Sequence, residues 1–181
     1  QADKYLAKEP SVKYRGFFIN DESPSFTGWA GGAFGGLNEN CYEHIFELII
    51  RMKANYLWPA MWGNSFSDEG KEFTLANAVL ADAYGVCMGT SHHEACHRAG
   101  VEWQRKYKSY GTSNAWDYDK NGEAIYKFWE EGIVRNGNFE NTITMGMRGE
   151  GDSALKGGVQ YNIDLLKRII SDQNTIVDNY V

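Results

Sequence analysis

The sequence predicts an α/β fold with a parallel sheet, on two observations. Four short apolar runs each close on a burst of polar residues: "YRGFFINDE" (Tyr14 to Glu22), "NYLWPAMW" (Asn55 to Trp62), "VCMGTSHHE" (Val86 to Glu94) and "TITMGMRGEGD" (Thr142 to Asp152). A segment with helical character follows each of them. Strands that alternate with helices build parallel sheets, and ligands bind such sheets at the carboxyl ends of the strands. Asp21, Glu22, His92, His93, Glu94, Arg148, Glu150 and Asp152 are therefore expected around one acid-rich pocket, the layout of an enzyme.

The elements follow in order. Residues 1–13 read as a polar connection from an upstream region. After the first strand, residues 23–38 are rich in Gly, Ser and Pro. They lack the Lys-Ser/Thr of a phosphate-binding loop and begin several residues past the strand, so they read as a lid or irregular excursion. Asn40, with Glu43 three residues on, forms a capping box for a helix carrying Ile45, Phe46, Leu48, Ile49 and Met52 at helical spacing. A second helix is expected from Lys71 to Tyr84, with Leu75, Ala76, Val79, Leu80 and Ala83 inward and Gly85 as a left-handed stop. A short helix from Glu94 to about Tyr107 leads into a loop through "GTSNAWDYDKNG". The next helix starts near Asn121 and turns Ile125, Phe128, Trp129 and Ile133 inward. The last begins near Gln160 and carries Ile163, Leu166, Ile169, Ile170 and Val177.

Four strand-helix units suit either an open, doubly wound sheet or a piece of a longer chain. A complete eight-fold barrel takes about 250 residues, and half of one leaves its last strand with an unpaired edge. The second possibility is favoured.

Composition narrows the function. Of 181 residues, 43% are hydrophobic and 23% charged, which is ordinary for a globular domain. Net charge is −6 with no basic stripe, which argues against a nucleic-acid partner. No apolar stretch approaches the roughly 20 residues of a membrane span. Aromatic residues reach 14%, and several lie beside strand ends, where flat rings can stack on sugars or simply fill the core. Cys41, Cys87 and Cys96 form no paired framework and read as buried or incidental thiols.

His93-Glu94-Ala95-Cys96-His97 matches H-E-x-x-H, the zinc pattern in which two histidines share one helix face. It sits at a strand-to-helix junction without a recognisable third ligand. The other reading of the segment makes Ser91 and Glu94 a capping box and leaves His92 and His93 at the mouth of the site. Arg148, Glu150 and Asp152 end an apolar strand, where Arg can hold a carboxylate by two hydrogen bonds. Asp21 and Glu22, with Asn20 beside them, supply carboxylates from another strand. Glycoside hydrolysis needs two such groups, one protonated and one ionised.

With these segments in place, the chain resembles glycoside hydrolase family 115, the xylan α-1,2-glucuronidases. The matching strings are "RGFFINDE", "TGWA", "FGGLN", "ELIIRMKANYLWPAMWGN", "ADAYGVCMGTSHHE", "FWEEGIVRN" and "TITMGMRGEGD", in the family's order from Tyr14 onward. The resemblance implies a (β/α)8 TIM-barrel catalytic domain of which residues 14–181 supply about the first four units, with 1–13 a linker. It implies a large secreted or periplasmic enzyme that removes glucuronic or 4-O-methylglucuronic acid from O2 of xylose units, with inversion. No cofactor or metal is implied. The partners would be the xylan-derived substrate, the remaining half of the barrel, and a second copy in a homodimer. Carried over by matching position, Asp21, Glu150 and Asp152 would be catalytic. Asn20, Glu22, Trp58, Trp62, Asn64, His92, His93, Glu94 and Arg148 would bind substrate. Two departures stand out: Glu150 replaces the Asp of the family's usual "GMRGDGD", and Ala95-Cys96 replace a Pro-Met. On the resemblance, His97 lies outside the family pattern and the apparent zinc motif is an accident. A zinc-dependent hydrolase using His93 and His97, and a non-catalytic carbohydrate-binding module, are the competing expectations.

Overall fold

A computed structural model describes residues 8–20 and 23–181. Three short strands form a parallel sheet in the order β1 (Gly16–Phe18), β2 (Tyr56–Trp58), β3 (Cys87–Met88). Phe17 lies beside Leu57, and Leu57 beside Met88. One sheet face, through Leu57 and Met88, packs on α2 (Glu39–Arg51) and α3 (Ala76–Ala83) in a core that includes Tyr42, Phe46 and Ile49. The other face carries Phe18, Tyr56 and Trp58 and, among the described residues, has no helix over it. Trp58 meets Phe18 edge-on at 5.6 Å and donates its Nε1 hydrogen to the Tyr56 hydroxyl at 2.7 Å.

The expected fourth strand is only begun. Thr142 N–H donates to Met88 O at 2.9 Å, and Asn141 makes an isolated parallel bridge to Met88. Beyond it the run pairs with no strand among the described residues. Gly146, at φ 101°, is gripped instead by the Gln173 side chain, which accepts from its N–H at 2.6 Å and donates to its carbonyl at 2.9 Å. A side-chain amide thus stands where a ladder neighbour would.

Several sequence expectations shift. The glycine-rich stretch is no loose lid: α1 spans Ser25–Phe34. Phe26, Trp29 and Phe34 stack in series along it, at 5.7 and 5.2 Å, offsetting a helix cost of about 1 kcal/mol per glycine. Asn38, not Asn40, caps α2, accepting from the Asn40 N–H. α3 begins five residues late, and the Glu39 carboxylate accepts from the N–H groups of Lys71 and Glu72 in the turn that precedes it. Its buried face is Ala76, Asn77, Ala78 and Ala81, with Val79 outside. Gly85 does take the left-handed conformation, at φ 65°.

The long helix α5 (Tyr118–Asn136) buries Ile125, Phe128, Trp129 and Ile133 as its spacing predicts. It packs on α6 (Val159–Tyr180), which buries Leu165, Ile169, Gln173 and Ile176 and leaves Ile163 and Ile170 exposed. All three cysteines are buried and unpaired, and burial pushes the Cys96 thiol up to about 12.

The segment after β3 departs furthest from expectation. Instead of one helix from Glu94, a tight turn at Ala95–His97 is followed by α4 (Gly100–Lys106). Cys96 and His97 both sit in the left-handed region, at φ 55° and 57°. Such residues persist only where surrounding contacts over-determine them. Here the Glu102 carboxylate does so. It accepts from Ala99 N–H at 2.9 Å, from Arg98 at 2.8 Å and from Arg135 of α5 at 2.6 Å. Arg135 also donates to the His97 carbonyl at 2.9 Å. The side chains of Arg98 and Glu102 are fully buried. Gly132 lets α5 approach this turn: a Cβ there would lie 2.2 Å from the Cys96 carbonyl oxygen.

Behind the turn lies a small cavity of about 30 Å³, with Glu94, His97, Ser65 and Asn136 among its walls. Burial, reinforced by the neighbouring Glu102 charge, holds the Glu94 carboxyl well above the usual carboxylate range. Burial likewise pushes His97 down to about 4, so both groups are neutral in the fold. Glu102 is the opposite case. Burial alone would raise it, but Arg135 and then Arg98 outweigh that and bring it to about 2.

Two outcomes are expected. Glu102→Gln leaves two buried guanidinium groups under-neutralised and lowers unfolding free energy at pH 7 by about 3–5 kcal/mol in urea titrations. The wild-type contribution of Glu102 is complete above its ordinary value of 4.5 and drains away as pH falls towards about 2. Glu94 works with the other sign: above pH 4.5 the unfolded chain releases a proton that the folded chain retains, so stability declines as pH rises. Glu94→Gln is therefore more stable than wild type at pH 8, with the gain shrinking towards pH 4.

Candidate active site

The carboxyl ends of the strands open on one side of the sheet, and loops from β2, β3 and the unfinished fourth run meet there. Loop three is laced to the fourth run: Thr144 Oγ1 donates to the Thr90 carbonyl at 2.8 Å, and Cys96 N–H to the Thr144 carbonyl at 3.0 Å. Trp116 fixes the far end by donating from its indole nitrogen to the Arg148 carbonyl at 2.9 Å.

This lacing brings His92 and Asp152 together across 60 residues, with Nε2 to Oδ2 at 2.9 Å. Arg148 closes on the same carboxylate, its Nε 2.5 Å from Oδ1. Its Nη2 also donates to the Asp152 carbonyl at 3.2 Å. The hydrogen bond from His92, then the His92 and Arg148 charges, hold the Asp152 carboxyl below the usual range. Asp152 is thus an ionised carboxylate with a cation on one side and an imidazole on the other. Its backbone is in the left-handed region at φ 65°, a rare conformation that a ring of contacts must hold.

The His93 ring lies 5.4 Å from that of His92, tilted by 56°. It meets Trp62 edge-on at 4.7 Å. Burial holds its pKa below the ordinary histidine value, leaving a neutral imidazole whose buried Nε2 has no partner. Glu150 is exposed and accepts from Gln104 Nε2 of α4 at 2.6 Å. Among the expected site residues, then, Trp62, His92, His93, Arg148, Glu150 and Asp152 surround one rim.

The remaining ones fall elsewhere. Asn20 is exposed just past β1, and Asp21 and Glu22 lie outside the described residues. Trp58 belongs to the open sheet face, and Asn64 donates to the Trp62 carbonyl at 2.9 Å, shaping that loop. Glu94 is a correction: its carboxyl lines the interior cavity behind the rim rather than the mouth. It forms half of the expected capping box: its carboxyl interacts with the Ser91 backbone N–H, but the Ser91 hydroxyl has no partner and Glu94 N–H donates to Ser91 O. The zinc pattern loses its premise too. Residues 93–97 are not helical, so the two imidazoles do not share a face, and no trio of His, Cys, Asp or Glu side chains among the described residues is placed to hold a metal.

Gln104, Trp116 and the Arg98–Glu102 pair went unnoticed in the sequence, although they anchor and line the site. Their signal is faint: Glu102 stands three residues after Ala99, which has no side-chain acceptor to suggest a cap.

The comparisons bear on the fold and the family. Residues 7–181 match the model of glycosyl hydrolase family 115. Among solved structures, the chain is similar to one described as a family GH115 4-O-methyl-α-glucuronidase with specificity for decorated arabinogalactans. The two share 33% identity over 96% of this chain, with a TM-score of 0.78. The match spans only 23% of that protein's chain. No curated protein matches. With the family model matched over nearly every residue and a third of positions identical to a solved member, this chain belongs to glycosyl hydrolase family 115.

Proposed function

We propose that this chain forms part of the catalytic domain of an inverting α-glucuronidase that removes glucuronic or 4-O-methylglucuronic acid from xylan. The observation that carries the reading is the Asp152 carboxylate held ionised between His92 and Arg148 at the strand ends. An inverting glycosidase needs one carboxylate that stays ionised to activate water and another that is protonated to assist the leaving oxygen. Asp152 has the environment of the first. Glu150 and Asp21 are the candidates for the second. Arg148 and His92 supply hydrogen-bond donors for a uronate, and Trp62 an exposed ring for the sugar face.

The match to 23% of a longer chain, and the open sheet face bearing Phe18, Tyr56 and Trp58, favour the first four units of a (β/α)8 barrel completed by further chain. In that reading residues 14–181 are the first half of the catalytic domain and 1–13 lead into it. The polysaccharide substrate places the enzyme in the periplasm or outside the cell. A second substrate reading has its own support: the solved relative is described as specific for decorated arabinogalactans, so uronate on a galactan rather than a xylan is the alternative.

In a full-length protein containing this chain, Asp152→Asn is expected to lower kcat for uronate release from aldouronic acids by about 10²–10⁴-fold. The 181-residue chain alone should release none. Decorated arabinogalactan oligosaccharides assayed beside the aldouronic acids decide between the two glycans, and turnover of neither by the full-length enzyme would refute the assignment. A pH profile adds a signed check. Because the His92 hydrogen bond is the largest influence lowering the Asp152 pKa, His92→Gln raises that pKa and moves the acid limb of kcat/KM to higher pH.

A further inference from the structure

The interior cavity under the turn at Ala95–His97 includes none of the rim residues in its walls and plays no part in the reaction proposed above. Glu94 and His97 both line it, and each is more than nine-tenths buried. His97 Nε2 is a buried nitrogen without a hydrogen-bond partner among the described residues.

The neighbours of the ring fix what that nitrogen is. The Asn141 side chain hydrogen-bonds the His97 imidazole. Its Nδ2 already donates to the carbonyls of Asn136 and Phe139, at 3.0 and 2.8 Å, so Oδ1 is the atom that faces the ring. An amide oxygen only accepts, so the nitrogen it meets carries the hydrogen, and that nitrogen is Nδ1. Nε2 of the neutral ring is left a bare acceptor, whose burial is costly unless a donor reaches it.

Donors in the wall are mostly spent. Ser67 Oγ donates to Asn136 Oδ1 at 2.9 Å, Asn136 Nδ2 to the Gly132 carbonyl at 2.9 Å, and Thr90 Oγ1 to the Glu94 carbonyl at 2.7 Å. Glu94 differs from these, because its carboxyl stays protonated in the fold and has a hydrogen to give. The two groups do not bond directly; they face one cavity of about 30 Å³. One water needs about 10–15 Å³, so the space admits a water and excludes a sugar. The Glu102 carboxylate in the wall disfavours an anion, and no trio of His, Cys, Asp or Glu among the described residues is placed to hold a metal.

We infer that this cavity is a water site, in which one ordered water donates to His97 Nε2 and accepts from the Glu94 carboxyl. Ser65, 2% exposed in the same wall, completes the polar neighbours that a buried water keeps. The bridge spans the strained turn from side chain to side chain, while Arg135 holds the same turn by the His97 carbonyl. It is a second hold on the turn into which the loop bearing His92 and His93 runs, and it stands independently of the glycosidase reading.

A high-resolution crystal structure of the full-length protein tests the site. A water peak is expected within about 2.7–3.2 Å of both His97 Nε2 and a Glu94 carboxyl oxygen. No density there, a direct hydrogen bond between Glu94 and His97, or a peak with the multiple short contacts of a metal ion overturns it. Hydrogen exchange read by mass spectrometry tests the hold on the turn. Glu94→Gln keeps a donor for the water, so the amides of residues 92–98 exchange no faster than in wild type. Glu94→Met keeps the length but loses the donor, and the same amides exchange about fivefold faster, the size of one lost hydrogen bond. Faster exchange in Glu94→Gln, or unchanged exchange in Glu94→Met, overturns the bridge. Should Glu94→Met fail to fold, the wild-type map and the Glu94→Gln exchange decide.

Discussion

The buried Glu102 carboxylate holds the site up. It joins Arg98, Arg135 and the Ala99 N–H into one knot, and through Arg135 it reaches the His97 carbonyl. The turn it secures contains two non-glycine residues in the left-handed region. That turn fixes the direction in which the loop bearing His92 and His93 leaves β3. A buried ion pair is not automatically stabilising, since desolvation can cancel its attraction. Here the knot also supplies position: it ties the turn after β3 and the start of α4 to α5, and the loop bearing His92 and His93 runs into that turn.

The same geometry separates two neighbouring histidines by environment. His92 is half exposed and hydrogen-bonded to a carboxylate, while His93 is tucked beside Trp62 and neutral. The two rings lie only 5.4 Å apart, yet one bonds the Asp152 carboxylate and the other meets Trp62 edge-on.

Much of this was legible in the sequence, and what was not has physical causes. The parallel order of β1, β2 and β3 and the inward face of α5 followed from strand-helix alternation and 3.6-residue spacing, as did the left-handed stop at Gly85. The motif strings led to the family that the comparisons show. The helix at Ser25–Phe34 was hidden by its glycines, because aromatic stacking among Phe26, Trp29 and Phe34 outweighs local propensity. The start of α3 lies later than its spacing suggests, and the Lys71 and Glu72 N–H groups go to the Glu39 carboxylate, a contact over thirty residues away that no local pattern encodes. Glu94 looked like a rim residue by position, and only the strained turn after it sends its carboxyl inward. The Asp152–His92 contact was expected as a neighbourhood, but its ion-pair geometry depends on Trp116 and on the lacing of loop three, which no local pattern encodes.

The central claim is that a uronate seats against Asp152, His92 and Arg148, with its sugar ring beside Trp62. A crystal structure of the full-length protein soaked with 4-O-methylglucuronic acid tests this most directly. The account predicts the sugar carboxylate or its neighbouring hydroxyls within hydrogen-bond distance of Arg148 or His92, and the anomeric carbon facing Asp152. A uronate bound at a site that none of these three residues touches would contradict it.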